Sequence, residues 1–245
     1  KTETMLSILI ANQCAKVLVT VPSDALRDQL ANKFLTLGVL HKFGIVTSDC
    51  SYPNVGIVKE GMDYNGWYTL IEKSNVIITT MPLITNCESE IINLLKENIS
   101  HLFVDEAHHS EAKTWSEFID SFDDEKVTLF TATPFRNDSR RLKGDFIYNF
   151  SLKDAQSQGY YKPIKFIPIR EYDLIQADKH IAEVAVKQLR SDMENGYDHI
   201  LMARCSTKQR AKEVMEIYQQ YSDLNPVMVF SSMPNQKSIL NNIKD

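Results

Sequence analysis

His101-Leu102-Phe103-Val104-Asp105-Glu106-Ala107-His108-His109 drives a short apolar run into two adjacent acids. The run is too short for a helix and reads as a buried strand. A strand that ends in carboxylates places charge at the carboxyl edge of a parallel sheet, where open α/β folds bind their ligands. Two neighbouring carboxylates can divide the labour of phosphoryl transfer, Asp105 holding hydrated Mg²⁺ and Glu106 polarising an attacking water. Other readings of the same residues are an acidic strand end that caps the next helix, and a zinc site built with His108 and His109. The zinc pattern of metalloproteases needs two histidines at i and i+4 on one helix, whereas these two are adjacent.

Working outward, short β-branched runs alternate with stretches of helical period, the pattern of βαβ units around a mostly parallel sheet. Strands are expected at Val17–Val21, Ile45–Thr47, Val76–Thr80, Leu102–Asp105 and Val127–Thr131, and a helix at Asp24–Leu37, where Leu26, Leu30 and Phe34 recur every four residues. Near Asn149 the pattern changes, and Gly159-Tyr160-Tyr161-Lys162-Pro163 interrupts the helical register. The expected organisation is therefore a first domain over 1–150, a linker over 151–163 and a second domain over 164–245. In the second, strands are expected at Ile164–Ile169, His199–Ala203 and Val227–Phe230, with helices at Lys179–Glu194, Thr207–Tyr221 and Asn235–Ile243.

Composition excludes several classes. The 245 residues are 43% hydrophobic and 24% charged, as in ordinary globular chains, which rules out disorder and collagen-like order. No apolar run reaches the ~20 residues of a membrane span and no secretory leader pattern opens the chain, so a cytoplasmic location and no membrane partner are expected. Cys14, Cys50, Cys87 and Cys205 stand too far apart for a zinc knuckle or redox pair and read as ordinary thiols. The net charge of −5 argues against a surface that is basic throughout. The acids concentrate in 1–150, with 20 against 14 basic residues, while 151–245 has 12 against 13. Only 8 glycines occur, the first at Gly38.

Asp105-Glu106-Ala107-His108 spells the DEAH box of superfamily 2 helicases and translocases, and Thr131-Ala132-Thr133 at the end of the next strand is similar to the motif by which that family couples nucleotide state to nucleic-acid grip. The surrounding text, DEAHH-SEAKTW and FTATPFRND, most resembles the prokaryotic branch that includes the motor subunits of type III restriction enzymes and related phage-defence helicases. The resemblance implies an α/β fold, a P-loop NTPase with tandem RecA-like domains, the second incomplete. It also implies ATP and Mg²⁺ as cofactors, with Asp105, Glu106 and His108 catalytic and Thr131 and Thr133 coupling hydrolysis to movement. Lys1-Thr2 resembles the end of the phosphate-binding motif G-x-x-x-x-G-K-T/S, so Lys1 is expected on phosphate and Thr2 on phosphate and metal. The chain is thus expected to begin inside that motif, and the isolated 245 residues to hydrolyse ATP negligibly.

Other segments match the same family. Val19-Thr20-Val21-Pro22-Ser23 and Ile77-Ile78-Thr79-Thr80 look like its turns that hold nucleic-acid phosphates, which nominates Pro22, Ser23 and Thr80; a helix cap is the other reading of Ser23 and Thr80. Ser206 and Thr207, after Ile200-Leu201-Met202-Ala203-Arg204-Cys205, resemble the equivalent turn of the second domain, and each can equally be a cap. Arg136 and Arg140 lie in the basic stretch Arg136–Lys143, which reads as a phosphate path or as a solvated loop. The resemblance implies a nucleic-acid partner, DNA more than RNA, and admits a nuclease or other effector subunit. The competing classes are a helicase-shaped binding module or scaffold without turnover, and a nucleotide-dependent switch acting on proteins. The intact acids disfavour the first, and the nucleic-acid-type turns disfavour the second.

Overall fold

A computed structural model describes residues 1–109, 113–133, 144–230, 233–234 and 236–243. These divide into two compact units, Lys1–Ile147 and Tyr148–Asp245.

In the first unit the elements run α1 (Thr2–Ala11), β1 (Val17–Val21), α2 (Asp24–Thr36), β2 (Val55–Ile57), α3 (Tyr64–Lys73), β3 (Val76–Thr80), α4 (Met81–Thr85), α5 (Ser89–Asn98), β4 (His101–Asp105), α6 (Lys113–Asp120) and β5 (Val127–Phe130). The strands form one five-stranded sheet in the order β2-β3-β1-β4-β5, and every pairing is parallel. The central strand β1 is buried at all five residues, as a parallel strand covered on both faces must be. Because side chains alternate, Val17, Val19 and Val21 pack with Met5, Leu6, Leu9 and Phe34 of α1 and α2. Leu18, Ile77, Leu102 and Val104 pack on the other face with Trp67, Ile71, Leu95 and Phe118 of α3, α5 and α6. The sheet is therefore doubly wound.

Four expected strands of this unit form, and the fifth is corrected. Ile45–Thr47 lies in a bend and irregular backbone, with Ile45 60% exposed, and the strand falls instead at Val55–Ile57. The middle residue of that strand is Gly56, where an added Cβ would stand 2.6 Å from Ser74 Oγ and 2.7 Å from Leu70 Cδ1. Close approach of the segment across Leu70 and Ser74 demands glycine, so the strand lacks the continuous apolar run that marks the others.

The second unit contains α7 (Leu152–Ser157), α8 (Leu174–Glu194), α9 (Lys208–Tyr218) and α10 (Gln236–Asn242). Ala182 and Val186 of α8 pack against Tyr218 of α9 in a small core. The strands expected at Ile164–Ile169, His199–Ala203 and Val227–Phe230 are corrected: among the described residues these segments pair with no ladder, and Phe166 and Met202 are more than four-fifths exposed. An apolar β-branched run becomes a strand only when a neighbour accepts its backbone hydrogen bonds. Among the described residues no helix is long and apolar enough to cross a membrane.

Candidate nucleotide and nucleic-acid site

The parallel sheet delivers every expected residue of the first unit that the structure describes, Lys1 and Thr2 aside, to its carboxyl edge. Pro22 and Ser23 follow β1, Thr80 ends β3, Asp105 and Glu106 close β4, and Thr131 and Thr133 follow β5. Lys1 and Thr2 reach the same place from another direction, at the start of α1. The Lys1 ammonium lies 3.4 Å from Asp105 Oδ1 and also contacts Glu106 Oε1.

Asp105 is 6% exposed, and its Oδ1 accepts no hydrogen bond although it stands at ion-pair distance from Lys1. A buried carboxylate oxygen without a donor is costly in an apolar surrounding and is suited to a hard cation. Glu106 sits at φ +49°, the left-handed region that a non-glycine residue rarely takes. That turn ends the strand sharply at Asp105 and leads into the short 3₁₀ turn Ala107–His109.

His108 reaches across from this turn. Its Nδ1 lies 3.2 Å from Thr131 Oγ1 and 3.5 Å from Glu106 Oε2. A carboxylate can only accept, so the contact with Glu106 calls for the proton on Nδ1, whereas the Thr131 hydroxyl suits either tautomer. Thr131 Oγ1 in turn accepts from the Thr133 backbone N–H at 3.1 Å. Lys1, Glu106, His108, Thr131 and Thr133 thus form one contiguous polar chain, from the first residue of the sequence to the end of β5.

On the other side of β1, Val21 and Thr80 are register partners, which brings the turn at Pro22 and Ser23 within one strand spacing of Thr80. Ser23 and Thr80 both occupy N-cap positions, of α2 and α4, yet neither hydroxyl caps its helix. Thr207 behaves differently: it is the N-cap of α9 and accepts from Arg210 N–H at 3.1 Å, while Ser206 beside it is exposed. Arg136 and Arg140 lie outside the described residues.

One residue of this edge escapes a reading by sequence. Arg27 is 4% exposed inside α2, and its guanidinium donates to Asp24 Oδ1 at 2.6 Å, Asp28 Oδ1 at 3.1 Å and the carbonyl of Val58 at 3.3 Å. It ties the turn after β1 to the end of β2. A cation in an amphipathic helix reads as solvent-facing, and the only signal in the sequence is its two flanking acids.

The family model for the type III restriction enzyme res subunit matches residues 1–136, more than half of the chain. The chain belongs to this family. The α/β fold and the RecA-like, P-loop character expected for the first unit stand with that membership. No curated protein sequence matches the chain. Solved structures similar to this res-family chain include a hypothetical ATP-dependent RNA helicase from Sulfolobus tokodaii, 20% identical, covering 54% of this chain and 38% of that one with a TM-score of 0.38. The Hef helicase domain of Pyrococcus furiosus is 19% identical, covering 89% of this chain and 48% of that one with a TM-score of 0.45. T4 UvsW is 14% identical, covering 90% and 44% with a TM-score of 0.33. The chain spans less than half the length of each.

Proposed function

We propose that this chain carries the motor core of an ATP-dependent nucleic-acid helicase or translocase, acting on DNA rather than RNA. The observation that carries the reading is the Lys1 ammonium held between Asp105 and Glu106 at the carboxyl edge, with His108 linking Glu106 to Thr131. The residues suit Mg-ATP: a buried carboxylate oxygen without a hydrogen bond at one strand end stands beside a lysine cation at one helix start, where Thr2 follows with a hydroxyl. Bound Mg-ATP supplies the γ-phosphoryl group for transfer to water.

In this reading Lys1 and Thr2 bind phosphate, and Thr2 and Asp105 hold the metal. Glu106 orients the attacking water and accepts its proton. His108, Thr131 and Thr133 carry the change at Glu106 toward the nucleic-acid turns. Ser23 and Thr80 in the first domain, with Ser206 and Thr207 in the second, offer backbone N–H groups and hydroxyls to phosphates, Pro22 fixes the backbone that leads into Ser23, and Arg136 and Arg140 add cationic contacts. Two RecA-like domains, over 1–150 and from 164 onward with 151–163 as linker, would move against each other through the cycle. The setting that suits this chemistry is cytoplasmic, in restriction or phage defence beside a nuclease or other effector subunit.

Glu106→Gln in the full-length protein tests the assignment. DNA-stimulated ATP hydrolysis is expected to fall by about a hundredfold or more, with nucleotide binding retained. Unchanged turnover would remove Glu106 from the mechanism.

A further inference from the structure

Glu3 stands two residues beyond Lys1, in the first turn of α1, and its carboxylate turns away from the site. Its Oε1 pairs with Lys33 Nζ in the last turn of α2 at 3.0 Å, and its Oε2 accepts from the backbone N–H of Val39 at 3.2 Å. Between those two partners lies Gly38, at φ +56°. A Cβ there would fall 2.3 Å from Glu3 Oε2 and 2.9 Å from its Cδ. Glycine suits the left-handed backbone of this position, and a Cβ there would displace the carboxylate from it.

We propose that Glu3 is a positioning residue: it latches the first turn of α1 to the end of α2 and so fixes where Lys1 and Thr2 meet the nucleotide phosphates. The proposal rests on the phosphate-binding role proposed for Lys1 and Thr2. The ion pair alone contributes little, because the side chains of Glu3 and Lys33 are both more than a third exposed. The directional element is the hydrogen bond from Val39, which a flexible surface pair does not supply. Lys1 is the N-cap of α1 and its carbonyl accepts from Met5 N–H at 2.9 Å, so a displacement of the first turn moves Lys1 with it. The same latch joins α1 to α2, whose N-cap is Ser23, so the nucleotide and nucleic-acid turns lie on two helices that are tied together.

The experiment compares Glu3→Ala, Glu3→Gln and Lys1→Ala in the full-length protein. It measures KM and kcat for ATP under DNA stimulation, nucleotide binding by calorimetry, and Tm. Loss of the latch is expected to raise KM about fivefold, the order of one backbone hydrogen bond plus one exposed ion pair, with kcat little changed. Glu3→Gln keeps an acceptor for Val39 and should recover most of the KM. An unchanged KM in Glu3→Ala overturns the positioning role, whatever happens to Tm, provided that Lys1→Ala abolishes nucleotide binding. Retained nucleotide binding in Lys1→Ala overturns the reading on which the role rests, and the proposal with it.

Discussion

At the scale of single residues, the site is a matter of who stands beside whom at the ends of strands. Lys1 stands more than a hundred positions before the adjacent Asp105 and Glu106 and shares one ion-pair cluster with them. The sequence nominates Asp105 and Glu106 as an acidic strand end and Lys1 through its resemblance to a phosphate-binding motif, and the ion pairs bring the three together. Arg27, Glu3 and Gly38 were not readable. Their partners, Val58, Lys33 and Val39, lie outside any periodic pattern, and a charged side chain in an amphipathic helix gives no hint of which way it bends. Gly56 carries a prediction of its own. Gly56→Ala adds a methyl group 2.6 Å from Ser74 Oγ and 2.7 Å from Leu70 Cδ1. Overpacking of that kind costs about 1–3 kcal/mol, against a gain of about 0.4–1 kcal/mol from a less flexible unfolded chain. A net loss of about 1 kcal/mol should appear as a lower urea midpoint with an unchanged slope.

At the scale of elements, legibility followed burial. β1, β3, β4 and most of β5 announce themselves because both faces of a parallel strand must be apolar. β2 was hidden by its glycine, and the three apolar runs of the second unit imitate strands because a run of Ile and Val says nothing about the neighbour that must pair with it. The ends of α8 depend on exposed charge instead. Near its C-terminal end Arg190 forms two bonds to Asp223, at 2.8 and 2.7 Å, and Asp192 lies 2.8 Å from His199 Nδ1. The hydrogen bond from Arg190 holds the Asp223 carboxyl below its usual range, and that from His199 does the same for Asp192. A carboxyl lowered in the folded state binds fewer protons there than in the unfolded chain. Its contribution is therefore complete above the unfolded value of about 3.9 and is lost as pH falls below it toward the lowered folded value. Amide exchange at the C-terminal turns of α8 should accelerate across that acid window, and Asp223→Asn should remove part of the pH dependence.

At the scale of the whole molecule, the described residues of each unit have cores of their own: two on the faces of the sheet in the first, and one between α8 and α9 in the second. Phe103 is fully buried in β4 and meets Phe130 edge-on at a centroid distance of 5.5 Å. Phe103→Ala is expected to cost the first unit about 3–5 kcal/mol while leaving amide protection in α8 and α9 unchanged. Equal loss of protection in both units would show that their stabilities are linked. In the sequence the pattern changes near Asn149, and strands are expected beyond it that the described residues do not form.

Glu106 at φ +49° sets two kinds of selection against each other. Glycine or asparagine would occupy that backbone with less strain than glutamate does. A library screened only for resistance to heat should therefore drift away from the acid at this position, and under the role proposed for Glu106 its most robust survivors should lose ATPase activity. Glutamate at 106 is expected to persist only in populations that are also made to turn over nucleotide.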